Sequence, residues 1–436
     1  MSINITLKPS KIMTAMRKAD SVRDSMMIWG APGIGKSQIS KGYADKYYPL
    51  RKDNLNKLAD LARRVNDADD SFSAEDLKRF EASLLDQKTN FIDFRLSQIE
   101  PTDLRGIPVP VKHLRDPEGN VVLQHEMKAG VKYTEDTTVV WASPEVLDLP
   151  RNWKGVIMFD EINSAMPIVQ AASYQLLLDR RVGEMVIPDG AFLLAAGNRE
   201  GDGGVTFSLA TPLRDRMTHV EMEADLEDWI DGFAIPNSVH PRIVAYLKQA
   251  GTDFNTLNKQ SKSHAGGTSP RSWVRTSDYE YLTDSEKNTD YEVMRALYAG
   301  RLTEEVALRY IHFCKNVADM PDVNEILEGK QRNFDKTMDV SQGYFVALNL
   351  VYKVKELHTK FRAGEITPTE WNTKASNFLE FVHMHMGEKG APELAIMSLR
   401  QLLTMEVRML NKEVQYYPTF ISAYKELLQR AQETSR

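Results

Sequence analysis

The sequence is poor in cysteine: Cys314 stands alone among 436 residues. A single thiol excludes an intramolecular disulfide framework and any Cys-x-x-Cys redox or zinc site. It fits a reducing compartment, read here as a cytoplasmic location. Long apolar runs are missing too. No uninterrupted stretch approaches the ~20 residues a helix needs to span a bilayer, so no membrane partner is expected. The opening residues, MSINITLKPS, lack the basic patch and apolar run of a secretory signal. Positive charge is not in excess: 61 acidic side chains against 55 basic ones leave a formal charge of −6. That balance gives no support to nucleic-acid binding driven by global charge and leaves open only a local basic channel. There is no repeat of fixed period and no low-complexity block. What the chain does have is apolar substance. Hydrophobic residues make up 42%, which excludes global disorder. At roughly 150 residues per domain the length suggests about three domains, or two with insertions.

The first half alternates strand and helix signals. Residues 8–22 have amphipathic helical spacing, and the apolar run Ser25–Trp29 reads as a strand. A glycine-rich turn and a helix from about Lys36 to Lys46 follow. Residues 51–88 are polar, with helical spacing of Leu55, Leu58, Leu61 and Val65, then Phe72, Leu77, Phe80 and Leu84. Ser73 followed by Asp76 resembles a helix start, and the segment reads as a solvated helical insertion. Strand character returns at Asn90–Arg95. Residues 101–142, punctuated by Gly and Pro, suggest an excursion bearing a hairpin. Gly155–Phe159 and Ala191–Ala196 are apolar strands on either side of a helix at 165–180. Continuous apolar strands separated by helices predict a parallel sheet covered on both faces. After about residue 225 helical periodicity takes over, as in Val239–Leu247 and Glu304–Val317. Thr367-Pro-Thr-Glu370 reads as a capped helix start, and Ser261–Thr268 as an exposed loop.

Several segments carry chemistry. Gly30-Ala31-Pro32-Gly33-Ile34-Gly35-Lys36-Ser37 matches the phosphate-loop pattern, with an apolar strand before it and a helix, entered through Gln38, after it. Glycines let the backbone curl so that successive N–H groups face phosphate oxygens, and the helix adds its positive end. Lys36 should reach the β- and γ-phosphates, and the Ser37 hydroxyl should ligate Mg²⁺. Val156–Phe159 delivers Asp160 and Glu161 at a strand's carboxyl end, where ligands of open α/β sheets sit. Asp160 would hold the metal through water, and Glu161 would activate the attacking water. Leu193–Asn198 ends a third strand in an amide that could position that water or contact the γ-phosphate; a turn-favouring asparagine is the alternative. Arg214 and Arg216 are suited to charge on a phosphoryl group in transit, although charged surface segments often look alike. Arg271 opens a helix in the second half.

The remaining candidates read as structural. His383 and His385, two apart on a helix, point to different faces and do not share a metal. Cys314 lies in an apolar helical stripe as a small core residue. The methionines of 384–409 pack helices or line a client groove. Lys112, His113, Arg115, His125 and Lys128 form a solvated hairpin face or the lining of a pore.

In their order, these motifs resemble the AAA+ ATPases, and more closely their MoxR-like and dynein-related members. The matching segments are Phe94–Gln98, Asp103–Pro108, Asp160–Asn163, Gln175–Arg181, Ala195–Asn198 and Ser269–Trp273. The resemblance covers about 25–280 and continues more weakly to about 330. It implies an α/β P-loop core with a parallel sheet over 1–225, carrying the helical insertion 51–88 and a hairpin insertion 106–142. It also implies a helical lid over 226–330, followed by an all-helical extension over 331–436. Residues 181–190 would be the hairpin before the first sensor. Asn198 would be that sensor, Arg271 the second, and Arg216 (with Arg214 as second candidate) the finger inserted into a neighbour's ATP site. ATP and Mg²⁺ are the implied cofactors. A homo-oligomeric ring, a hexamer, is the implied assembly, with a separate von Willebrand A-type protein as partner and a protein client. A motor on nucleic acid and a non-hydrolysing assembly switch are the alternatives. Two features depart from the pattern: Met217 stands where Phe is common, and the insertion at 51–88 is long for the group.

Overall fold

In the computed structural model the described residues are 5–66, 74–122, 131–142, 147, 149–182, 185–199, 202, 207–257, 266–282, 291–316, 320–330, 339–388, 392–404, 414–420 and 422–423. Their strands are β1 (Thr6–Leu7), β2 (Met26–Trp29), β3 (Phe91–Arg95), β4 (Ile107–Arg115), β5 (Val121–Val122), β6 (Thr134–Ala142), β7 (Lys154–Asp160), β8 (Arg181–Val182), β9 (Met185–Val186), β10 (Gly190–Gly197) and β11 (Thr218–Met222). Six of them form one sheet in the order β1-β11-β2-β10-β7-β3, with every neighbouring pair parallel. The chain divides into two compact units, Met1–Glu223 and Ala224–Arg436.

In the first unit β2, β7 and β10 are apolar on both faces because both faces are covered. On one side Met27, Ile157, Phe159, Leu193 and Ala195 pack with Val169, Ala172 and Leu176 of the helix Pro167–Asp179. On the other, the helix Lys36–Tyr47 lies against β3, β7 and β10. Its Tyr43 ring sits 5.8 Å from Phe192. Tyr43 and Tyr48 both donate to Asp20 Oδ2, at 2.5 and 2.6 Å, tying this helix to Pro9–Ser21.

The helical insertion comprises Leu55–Asn66 and Ala74–Ser83, packed on each other with Leu61 buried and Leu55 exposed. Phe72 and Ser73 lie outside the described residues. The 106–142 excursion is a three-stranded antiparallel sheet, β5-β4-β6, rather than a hairpin alone. Lys112 pairs with Glu135 and Arg115 with Asp136, the pattern of a solvated face. His125 and Lys128 lie outside the described residues. β8 and β9 form the short hairpin expected before β10.

The second unit is helical in its described residues. Trp229, Tyr246, Trp273, Tyr310 and Phe313 centre one buried cluster; Val351, Trp371, Phe378 and Leu379 centre another. The helix Val340–Arg362 supplies Leu348 to the first and Val346, Leu350 and Val351 to the second. The segments 226–330 and 331–436 therefore pack as one body. Thr367 caps the helix Pro368–Phe381, its Oγ1 accepting from Glu370 N at 3.2 Å. Cys314 packs partly buried against the first cluster. His383 is buried beside Tyr416, with Nδ1 and the hydroxyl 2.8 Å apart. Among the described residues no helix is long and apolar enough to cross a membrane.

Candidate nucleotide site

The phosphate loop leaves the carboxyl end of β2, between β11 and β10. Gly33 and Gly35 have φ of +78° and +103°, which L side chains rarely adopt. Gly30 is confined instead by contact: a Cβ there would stand 2.8 Å from Met222 O. The helix that follows has Gly35 as its N-cap and no side-chain cap. Its first turn, Lys36 to the exposed Gln38, thus presents backbone N–H groups and the positive end of the helix to an anion.

Lys36 is buried. Its ammonium donates to Gly30 O at 2.6 Å, Ala31 O at 3.1 Å and Asn198 Oδ1 at 3.0 Å. Ser37 Oγ donates to Asp160 Oδ2 at 2.7 Å. Three adjacent strand ends thus converge: β2 brings Lys36 and Ser37, β10 brings Asn198, and β7 brings Asp160. Among the described residues no group of three or more His, Cys, Asp or Glu side chains could cage a metal. One hydroxyl and one carboxylate are a hard, incomplete oxygen set, which suits Mg²⁺ completed by waters and substrate phosphates.

Glu161 follows Asp160 with φ of +56°, unusual for a residue with a side chain. Its N–H donates to Asp160 Oδ1 at 2.9 Å, and Ser97 donates to its carboxylate. Asp93, on neighbouring β3, has its carboxyl pKa raised by burial and then by the Asp160 and Glu161 charges, partly countered by Arg95.

Asn198 is held by its own backbone. Asn163 Nδ2 donates to Asn198 O at 2.7 Å, and Asn198 N–H donates to Asn163 Oδ1 at 3.1 Å. Gly197 makes room for this exchange, since a Cβ there would lie 2.6 Å from Asn163 Oδ1. Arg199 is fixed by Asp202 at 2.9 Å and Glu221 at 2.7 Å.

Arg214 and Arg216 are exposed on and just after the short helix Thr211–Asp215, while Met217 between them and β11 is buried. They do not join the cluster around Lys36. Arg271 belongs to the second unit, exposed in the first turn of Pro270–Glu280, whose N-cap Ser269 accepts from Ser272 N. Sequence reasoning gave no role to Ser97, Asn163 or His219. Their partners lie 64, 35 and 190 residues away in sequence, so no local spacing could have revealed them.

The strand order and the phosphate loop define an α/β P-loop fold, with a helical C-terminal part. No family model matches the chain, and no curated protein does. Among solved structures it is similar to a mutant of RuvB from Thermotoga maritima (TM-score 0.31, 14% identity, over 73% of this chain and 74% of that one). A DNA polymerase III gamma subunit-related protein from the same organism gives 0.27 at 9% identity, over 96% and 99%. NtrX from Brucella abortus gives 0.29 at 14%, over 93% and 69%. The fold class rests on the sheet order and the loop geometry and not on these similarities.

Proposed function

We propose that the chain is an ATP-hydrolysing AAA+ remodelling ATPase of the MoxR type, working as a homo-oligomeric ring, a hexamer, on a protein client. The observation that carries the reading is the convergence of Lys36, Ser37, Asp160, Glu161 and Asn198 at the ends of three neighbouring strands. The loop N–H groups and the helix start would bind the β-phosphate, and Lys36 would exchange its carbonyl contacts for β- and γ-oxygens. Ser37 and Asp160 would hold Mg²⁺, which when bound neutralises phosphate charge. Glu161, oriented by Ser97, would accept a proton from the attacking water, and Asn198 would fix that water's position. The exposed Arg216, or Arg214, would enter a neighbouring copy's site and stabilise the departing γ-phosphoryl group, a contribution of about 10³–10⁵ in rate. The 226–330 segment would be the helical lid and 331–436 a helical C-terminal extension. A separate von Willebrand A-type protein is the proposed partner.

The test is ATP turnover per chain against protein concentration, which should rise as assemblies form. Glu161→Gln should keep ATP binding and lose turnover. Turnover per chain that stays flat while assemblies form would refute the shared site. Stimulation by DNA or RNA with steep salt dependence would move the client from protein to nucleic acid.

A further inference from the structure

A side-chain bridge runs from the phosphate-loop strand to the turn that bears the two arginines. Trp29, the residue before Gly30, donates its indole N–H to His219 Nδ1 at 2.9 Å. The other nitrogen of the same ring, Nε2, lies 2.9 Å from the carbonyl oxygen of Arg214. The two ring planes lie within 15° of each other, with centroids 6.0 Å apart, as an in-plane hydrogen bond between them requires. Sheet register sets this up: β11 runs parallel to β2 with His219 opposite Met27 and Glu221 opposite Trp29, so Trp29 and His219 are diagonal neighbours on one face.

The partners fix the chemistry. Indole nitrogen only donates, so Nδ1 must accept; a carbonyl only accepts, so Nε2 must carry the hydrogen. These contacts are those of the Nε2–H tautomer, with both ring nitrogens spent on the bridge. Arg214 is one residue from the end of Thr211–Asp215, where helix carbonyls lack intrahelical donors. The ring supplies one.

We infer that His219 is a positioning residue for the arginine finger, holding the turn with Arg214 and Arg216 at a fixed place relative to the phosphate loop of its own subunit. This rests on the reading of a shared ATP site given above. The helix Thr211–Asp215 is five residues long; Leu213 and Met217 anchor it in the core while its two arginines are exposed, and the bridge adds a tie at the Arg214 carbonyl, where the arginines leave the helix. The bridge also gives a direct mechanical link between the loop that grips one triphosphate and the arginines offered to the next. His219 touches no nucleotide in this scheme, and its effect lies in the finger-donating role of its subunit alone.

Full-length variants separate that role from folding. His219→Ala should assemble normally and bind ATP with unchanged affinity, while turnover falls about tenfold, the scale of the one hydrogen bond, of the two lost, that reaches the Arg214 carbonyl. Trp29→Phe keeps the ring and removes the donor, and should lower turnover in the same direction. His219→Gln, which can still accept and donate, should recover part of the loss. Mixing is the readout that a merely structural defect would not pass. A Lys36→Ala copy has an intact finger but no nucleotide grip, so it should restore turnover in His219→Ala sites as it does in Arg216→Ala sites. Mixtures of His219→Ala with Arg216→Ala should stay low, since neither donates a sound finger. Rescue of Arg216→Ala without rescue of His219→Ala overturns the inference, as does unchanged turnover in both His219→Ala and Trp29→Phe, or lost ATP binding in both. Failure of the Arg216→Ala rescue itself, with assemblies intact, overturns the shared site and the inference with it.

Discussion

Asn163 offers the sharpest test of how the site is held. Its side chain is 2% exposed and exchanges two hydrogen bonds with the backbone of Asn198, at 2.7 and 3.1 Å. Asn163→Ala leaves the Asn198 N–H and C=O without that partner. Each such group costs about 1–3 kcal/mol when buried. Asn198 is only half-buried, so the pair should cost about 2–4 kcal/mol rather than the sum of two maxima. For a unit of this size that lowers the melting midpoint by roughly 5–15 °C. Asn163→Asp is nearly isosteric. One oxygen still accepts from Asn198 N–H, but the other turns a hydrogen bond to Asn198 O into a contact between two acceptors. If Asn198 moves by about 1 Å, turnover should drop about a hundredfold. The same shift loosens its contact with Lys36, so ATP affinity should fall modestly. The assay is steady-state phosphate release, with ATP affinity titrated separately and melting followed by differential scanning. Full turnover and an unchanged midpoint in both variants would show that the amide exchange does not set the position of Asn198.

Gly197→Ala would push a methyl to 2.6 Å from Asn163 Oδ1 and 2.7 Å from Met27 Cε, so it should cost about 1–3 kcal/mol and lower turnover with it. Differential scanning and phosphate release check both. Asp93→Asn should raise the melting midpoint at neutral pH. The folded pKa of Asp93 is raised above its unfolded value, so its contribution is full below the unfolded pKa and lost as pH rises through the folded one. The advantage of Asn over Asp should therefore fade as pH falls toward the unfolded aspartate range, and a pH series of midpoints reads this. In the second unit Arg309 grips buried Asp253 at 3.1 and 2.7 Å, alongside the Tyr246 hydroxyl at 2.5 Å. Arg309→Ala should destabilise that unit by about 2–3 kcal/mol, below the usual figure for a broken buried pair because Arg309 is partly exposed. Arg309→Lys should recover part of the loss in urea unfolding, since it keeps the charge and loses the fork.

The parts of the fold that were legible are those whose cause is local. The central strands announce themselves because burial on both faces demands unbroken apolar runs, and the helices Pro9–Ser21 and Pro167–Asp179 begin with Pro. The strand Thr218–Met222 did not, because its five residues mix polar and apolar side chains and only two-sided pairing makes it a strand. Thr6–Leu7 is too short to carry any pattern. At the site, the glycine pattern and the Asp160–Glu161 pair stand out in the sequence because each lies within one stretch of backbone. The supports of Asn198 and Glu161 were not, since Asn163 and Ser97 reach them only after folding. The same holds for the grouping of 226–330 with the described residues of 331–436, which depends on where one long helix lies.

That long helix, Val340–Arg362, has a practical consequence. Because one turn feeds Leu348 to one apolar centre and Leu350, on a different face, to the other, it acts as a common beam under two roofs. A chain ended near residue 330 would not keep the helices before it intact. They would be missing a wall, with an oily flank turned to water and a tendency to clump. Anyone seeking a minimal fragment of the helical half should cut at its junction with the sheet half and keep everything that follows.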